Sequence, residues 1–332
     1  MTLLERRLLS EEKTLAGHIK HKAHEIGFDL VGVTTAGPAT THVRFTDWLA
    51  RGHHGEMSYL ARPDAVARRA DVRELLPSAR SVVVVAMNYY QPLPPTPPPS
   101  STGVGQVARY AWGDDYHEVI AEQLKQLVAF IEAEAGHTVA HKICVDTSAI
   151  LEREWAVRAG LGWIGKNTLL INPRVGSWLL LGVLLLDLAL DDKALFPIDQ
   201  CGTCTRCIEA CPTHCILPDR DLDAGRCIAY LTIELRGALP RPPDLRGSIG
   251  NWVFGCDVCQ EVCPWNRFAR PTREAAFAPR HAVLNLGELL DMNDETFRAQ
   301  FAHSAIRRAR REGLARNASI IAANRKYSEE TP

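Results

Sequence analysis

CGTCTRCIEACP, residues 201–212, sets four cysteines at the spacing C-x2-C-x2-C-x3-C and follows the last with proline. Thiolates at these spacings let a short loop wrap an iron–sulfur cubane, and the proline ends the turn after the fourth ligand. Where two such clusters share a fold, the fourth cysteine of each run ligates the other cluster, so a second run is expected. It is present as CDVCQEVCP, residues 256–264, with the x2 and x3 spacings and the proline but one cysteine fewer. Crossing gives Cys201, Cys204, Cys207 and Cys263 to one cluster. The other takes Cys211, Cys256, Cys259 and one more, either Cys215 or Cys227. Zinc ribbons also use paired C-x2-C, but in isolated pairs of four ligands per site, which neither the triplet nor the two Cys-Pro endings fit. A C-x3-C-x2-C radical site read from Cys207 and Cys211 fails, because its third position is His214.

Outside this segment the chain reads as an ordinary folded protein. Its 332 residues are 46% hydrophobic and 23% charged, which excludes a disordered chain and a coiled coil. The length exceeds what one core readily serves. A formal net charge of -1 gives no whole-molecule attraction to nucleic acid, so basic character has to be sought locally. The longest apolar run, 178–186, stops at Asp187, far short of a membrane span. MTLLERRLLSEEK at the start has no apolar signal core and reads as an amphipathic helix, so a cytoplasmic location is expected. In a reducing compartment, nine of ten cysteines crowded between Cys201 and Cys263 indicate metal and not disulfides.

Along the chain, residues 1–80 have mainly helical periodicity with a short apolar break, FDLVGV, at 28–33. VVVVAM, 82–87, is the β-branched run of a strand covered on both faces. Six prolines between Pro92 and Pro99 make QPLPPTPPPSSTG an extended surface loop. Residues 114–135 are helical, 137–146 a strand, and AILEREWAVRAG a helix with Gly160 at its C′ position. SWLLLGVLLLDLAL, 177–190, is a buried strand or strand pair, and from Asn285 onward helix returns. Cys144, alone in an apolar strand, reads as a packed core thiol. GLGWIGKNT, 160–168, matches G-x-G-x-x-G but follows a helix, and Asn167 replaces the Ser or Thr of a P-loop, so nucleotide binding is not expected. Asp115, Tyr116 and His117 begin like the D-x-H-x-x-G motif that supplies histidine to cobalt, but Ile120 stands where its glycine should, and His117 reads as structural.

HGEMSYL (54–60), RYAWGDDYH (109–117), VDTSAILERE (145–154), GLGWIGKNTLLINPRVGSWLLLG (160–182), CGTCTRCIEACPT (201–213), RCIAYLTIE (226–234) and GCDVCQEVCPWN (255–266) together resemble the epoxyqueuosine reductase family, from about residue 15 to 325. The resemblance implies a cobalamin-dependent enzyme with two [4Fe-4S] clusters that completes queuosine at the tRNA wobble position. The fold implied is α+β: a nitroreductase-like cobalamin-binding α/β domain over 1–195, a ferredoxin-like two-cluster domain over 196–268, and a short basic helical, HEAT-like segment over 269–332 without extended repeats. It implies that Asp146 is the proton donor and Cys227 the remaining cluster ligand, with Cys215 as packing. The corrin contacts carried over are Arg62, Tyr110, Asp146 and the Lys166, Asn167 to Leu170 loop, and cobalamin is bound without a histidine ligand. Three positions depart from the family pattern: Trp112 in place of arginine, Ala149 of proline, Ala229 of serine.

The implied reaction removes an epoxide oxygen as water with two electrons and two protons, the cofactor carrying the hard chemistry. An aspartate at its ordinary pKa of about 3.9 is almost wholly ionised at pH 7, so burial is expected to raise that of Asp146. The competing role for Asp146 is to cap a helix beginning near Ser148. Between Ala302 and Tyr327, Arg307, Arg308, Arg310, Arg311, Arg316, Arg325 and Lys326 face one acid, Glu312, a basic stretch suited to tRNA phosphate. The expected partners are a tRNA and an unidentified reductant protein, with the chain a monomer and no membrane involved. The rival functions are a dehalogenase-like reductase of a small molecule and an electron-transfer subunit.

Overall fold

The computed structural model describes residues 14–93, 103–190, 198–239 and 244–330. Most of the proline-rich loop and the first thirteen residues lie outside them. The central sheet has four strands in the spatial order Leu30–Thr35, Ser81–Asn88, Leu179–Leu186, His141–Cys144, each neighbour antiparallel. The run at 28–33 is thus the start of an edge strand, with Val33 opposite Val83; six residues are too few for periodicity to separate strand from helix.

Side-chain alternation explains the unbroken apolar runs. Val83, Val85, Met87, Leu184 and Leu186 join one core, beneath the helices Leu15–Ile26 and Tyr116–Ala135. Val82, Val84, Ala86, Val183 and Leu185 face the other way, onto Trp155 and Ala156 of the helix Glu152–Arg158. Both faces are covered, so no polar alternation is needed, although the sheet is antiparallel. The long helix presents Ile120, Leu124, Leu127, Val128 and Ile131 as one stripe, is capped by the Asp115 carboxylate on the His117 N–H at 3.0 Å, and ends at Gly136 in the left-handed region. Gly32 serves close approach: a Cβ there would collide with the Ala159 carbonyl, where the chain leaves the shorter helix for the 160–168 loop.

A second sheet joins the three sequence segments. Val104–Val107 lies between Trp252–Phe254, which is parallel to it, and Val283–Asn285, which is antiparallel. Val253, Phe254, Phe277, Leu284, Phe301, Leu314 and Ile321 belong to the same core as the long helix, so hydrophobic packing runs unbroken from the first segment to the last helix, Arg310–Glu330. Asn317, fully buried, ties that helix down by donating to the carbonyls of Thr232 and Val253, both at 2.8 Å. Among the described residues no helix is long and apolar enough to cross a membrane.

Candidate active site and cysteine cavities

The strand His141–Cys144 leads into a sharp turn. Thr147 N–H donates to the Val145 carbonyl at 2.5 Å, and Asp146 takes φ +51°, a region Asp tolerates better than most residues. The helix that follows starts only at Glu152, with Leu151 as its N-cap. Asp146 therefore does not cap it, and its 58% exposed carboxylate is free for other partners. Its backbone N–H donates to Glu152 Oε1 at 2.6 Å. His117 Nε2 donates to Asp146 Oδ2 at 3.2 Å, while His117 Nδ1 donates to Asp115 Oδ1 at 2.6 Å.

Three tyrosines surround this carboxylate. Tyr116 stacks on His117 at 4.1 Å between ring centroids, Tyr110 meets Tyr116 edge-on at 6.0 Å, and Tyr59, 40% exposed, lies under the Arg308 guanidinium at 5.5 Å. Burial raises the pKa of each phenol, and the Asp146 charge raises it further. Burial disfavours the imidazolium of His117, but hydrogen bonds to Asp115 and Asp146 outweigh it and bring the ring to about 9. Burial pushes the Asp146 carboxyl up, yet the hydrogen bond from His117, then its charge, Tyr116 and Arg153 leave it below the ordinary value. The expected rise is absent, because the sequence reading did not place an imidazolium against the carboxylate. Glu152 moves the other way, to about 8, through burial and then repulsion from Asp146. Sequence reasoning missed Glu152, Tyr116 and the contact made by His117; these residues lie inside the quoted motifs, but no spacing rule pairs residues 117 and 146.

The cysteines gather into two groups. Cys201, Cys204, Cys207 and Cys263 line one cavity of about 210 Å³, together with Lys166, Asn167 and Trp265. Cys211 and Cys215 lie with their sulfurs 3.4 Å apart in a small cluster that Cys207, Cys227 and Cys259 touch. Cys227 also packs against the neighbouring core that Cys256 joins, whereas Cys215 does not. Burial raises the thiol pKa values of Cys207, Cys256, Cys259 and Cys263, whereas a hydrogen bond with Cys215 lowers those of Cys211, to about 4, and Cys227. Four thiols spread round one cavity of this size fit a cubane better than a single tetrahedral zinc. Arg109, only 8% exposed, links the motif at 109–117 to the second run by donating to Asp257 at 3.2 Å and Glu261 at 2.7 Å.

The remaining site residues are dispersed. Lys166 Nζ donates to the carbonyls of Gly202 and Cys204 at 2.8 and 2.9 Å, clamping the first cysteine loop. Asn167 is buried beside the same cavity, with Oδ1 accepting from Leu169 N–H. The Leu170 side chain lies in the core, so any ligand contact there comes from backbone. Arg62 stands 62% exposed near Asp64. Trp112 is core, its indole N–H donating to the Val107 carbonyl at 2.7 Å. Residues 160–168 form no phosphate loop, since Trp163–Ile164 pairs with Leu170–Ile171 as a short hairpin. Cys144 is fully buried in the second core. The basic stretch is largely committed within the protein: Arg316 donates to the carbonyls of Leu231, Leu235 and Gly237, Arg325 to that of Val104, Arg308 pairs with Glu234, and Arg311 with Asp294. Arg307 and Arg310 stay exposed, and the side chain of Lys326 lies outside the described residues.

Two family models match: "Epoxyqueuosine reductase QueG, DUF1730" over residues 69–147, and "4Fe-4S double cluster binding domain" over 200–266. Epoxyqueuosine reductase of Cyclobacterium marinum is 43% identical over 304 residues, covering 91% of this chain and 95% of that protein. That of Pseudomonas aeruginosa is 41% identical, covering 92% and 84%. An epoxyqueuosine reductase solved with an epoxyqueuosine-modified tRNA-Tyr stem loop superposes with TM-score 0.86 at 32% identity, over 94% of this chain and 82% of that one. The Bacillus subtilis enzyme, solved with its catalytic aspartate loop swung out of the active site, gives 0.85 at 30% identity, over 94% and 82%. Identity above 40% across nine-tenths of the sequence, together with this superposition, shows that the chain belongs to the epoxyqueuosine reductase family.

Proposed function

We propose that this chain reduces epoxyqueuosine to queuosine at the wobble position of tRNA, with Asp146 handing protons to the departing oxygen. The observation that carries this reading is the Asp146 carboxylate, set on a strained turn and exposed among Tyr59, Tyr110 and Tyr116, in a chain whose cysteines gather into two groups. A small-molecule reductase and an electron-transfer subunit give way to it because the similarity covers both halves of the chain and extends to a relative bound to the modified stem loop.

Cobalamin, when bound, would supply the low-potential two-electron chemistry, and [4Fe-4S] clusters would supply single electrons. Both ring nitrogens of His117 are held by carboxylates, which leaves this imidazole unavailable to cobalt and fits binding without a histidine ligand. Arg62, Tyr110 and the backbone of the Lys166 to Leu170 loop are the residues assigned to the corrin. Cys201, Cys204, Cys207 and Cys263 would hold one cluster and Cys211, Cys227, Cys256 and Cys259 the other. Functionally, 1–195 carries the chemistry, 196–268 the electrons and 269–332 part of the RNA contact, although all three share one core. Within the basic stretch at 302–327, the exposed Arg307 and Arg310 are suited to phosphate. A separate low-potential protein donor would supply electrons to the clusters, in the cytoplasm, and one chain contains every group assigned here, so a monomer would suffice.

The test is anaerobic reconstitution with iron, sulfide and cobalamin, chemical reduction, and incubation with an epoxyqueuosine-containing tRNA. Nucleoside mass spectrometry should show loss of one oxygen from the modified base. Asp146→Asn, which keeps a residue tolerant of positive φ, should lose about 10²- to 10⁴-fold in rate with the cluster and cobalamin spectra intact. Turnover of that variant near the parent rate would remove Asp146 from the mechanism.

A further inference from the structure

The stoichiometry of the proposed reaction places a demand that Asp146 alone does not meet. An epoxide, two electrons and two protons give an alkene and water. The electrons become the second C–C bond, both C–O bond pairs stay with oxygen, and that one oxygen takes both protons. A single carboxyl positioned at this oxygen must therefore act twice in each turnover and be reloaded between the two transfers.

The reload source is already in contact. His117 Nε2 lies 3.2 Å from Asp146 Oδ2, and on its other side Nδ1 lies 2.6 Å from Asp115 Oδ1. Asp115 also accepts the His117 backbone N–H at 3.0 Å, and the ring stacks on Tyr116, so the imidazole is fixed in position and direction. At 29% side-chain exposure it reaches both the site and bulk water. We infer that His117, held by Asp115, is the relay that reloads Asp146 with the second proton of each turnover. This rests on the proposed reduction of epoxyqueuosine.

The surrounding charges support the order of events. Before substrate binds, the imidazolium has a pKa of about 9 and the Asp146 carboxyl lies below its ordinary value, so the proton resides on the ring. A ligand that covers the carboxylate disfavours its charge and draws the proton across the 3.2 Å contact. Arg153, from the helix that follows Asp146, opposes the shift, and Glu152 favours it. Arg307, from the C-terminal segment, acts on Asp115. Glu152 is a competing proton store, but its contact is with the Asp146 backbone N–H and not with the carboxylate. Tyr116 bonds the carboxylate, but its phenol is too weak an acid to reload it at neutral pH.

Two measurements decide the matter. The first uses the cofactor-free chain: in histidine-labelled protein the His117 ring should titrate by NMR at least one unit above an ordinary histidine, and should fall back toward about 6.5 in Asp146→Asn and in Asp115→Asn. The second is the pH profile of the loaded enzyme on epoxyqueuosine-containing tRNA. The parent rate should hold through neutrality and fall near pH 9; His117→Gln should lose about 10²-fold at pH 8, with a rate that rises steadily as pH drops, and added imidazole should partly restore His117→Ala. Cobalamin spectrum and tRNA affinity should not change. Asp115→Asn, which still caps the helix, keeps the test open if His117 variants fold poorly: it should shift the alkaline limb down. An unperturbed His117 titration overturns the inference, as does a His117→Gln profile that overlays the parent. Absence of turnover in the parent itself would instead refute the proposed function, and the NMR titration would still judge the relay contacts.

Discussion

Arg109→Met removes a buried, paired charge away from the reacting atoms. The guanidinium bonds Asp257, Glu261 and the Gln91 carbonyl and lies over the faces of Trp178 and Trp112 at 4.9 and 5.2 Å. Methionine keeps the length and the aromatic packing but removes the charge. Asp257, 2% exposed between Cys256 and Cys259, then keeps only the Arg109 backbone N–H, at 2.8 Å, among its present Arg109 partners. Removing one partner of a buried pair costs about 3–5 kcal/mol. With an unfolding entropy of roughly 2.1 cal/mol/K per residue, that corresponds to a fall of about 4–7 °C in Tm for a chain of this size.

The effect has a definite pH sign. In the metal-free chain burial, opposed by Arg109, already raises the Asp257 carboxyl to about 6, and loss of the cation raises it further. A carboxyl whose folded pKa lies above its unfolded one weakens the fold at high pH, and that penalty shrinks as pH falls below the folded value and is gone below the unfolded one. Scanning calorimetry of the reconstituted protein should therefore show the deficit at pH 8 and a much smaller one near pH 5.5. Arg109→Met combined with Asp257→Asn should recover most of the loss, since no buried charge is left unpaired. A Tm within about 1 °C of the parent at pH 8, or a double variant no better than the single, would refute the argument.

Iron analysis should separate the two candidate thiols of the second cluster: Cys227→Ser should lower iron toward four per chain, on the basis of about eight for two cubanes, whereas Cys215→Ser should keep both clusters; equal iron in the two variants would reverse the assignment. Arg316→Ala removes bonds to three backbone carbonyls and should lower Tm by several degrees without altering the salt dependence of tRNA binding, whereas Arg307→Glu with Arg310→Glu should flatten that dependence at unchanged Tm.

The local patterns of the sequence determined a good deal. Cysteine spacing fixes which thiols one short loop can bring together, because ligand geometry depends on a few intervening residues; Cys201, Cys204 and Cys207 accordingly share a cavity with Cys263. Helix 114–135 and the strands at 82–87 and within 177–190 were legible because stripe and run lengths report local periodicity. Three features were decided only in the tertiary structure. The edge strand at 30–35 became recognisable through its pairing with 81–88. The basic C-terminal stretch lost most of its free cations to carbonyls and carboxylates that lie tens of residues away in the chain. Asp146 met His117, 29 residues earlier in sequence, when the strand ending at Cys144 and the helix starting at Tyr116 packed on the same sheet. Charge composition is additive along a chain, but a pKa depends on which charges folding sets within a few ångströms. For that reason the family resemblance could nominate Asp146 as the acid, while only the fold set an imidazole against its carboxylate.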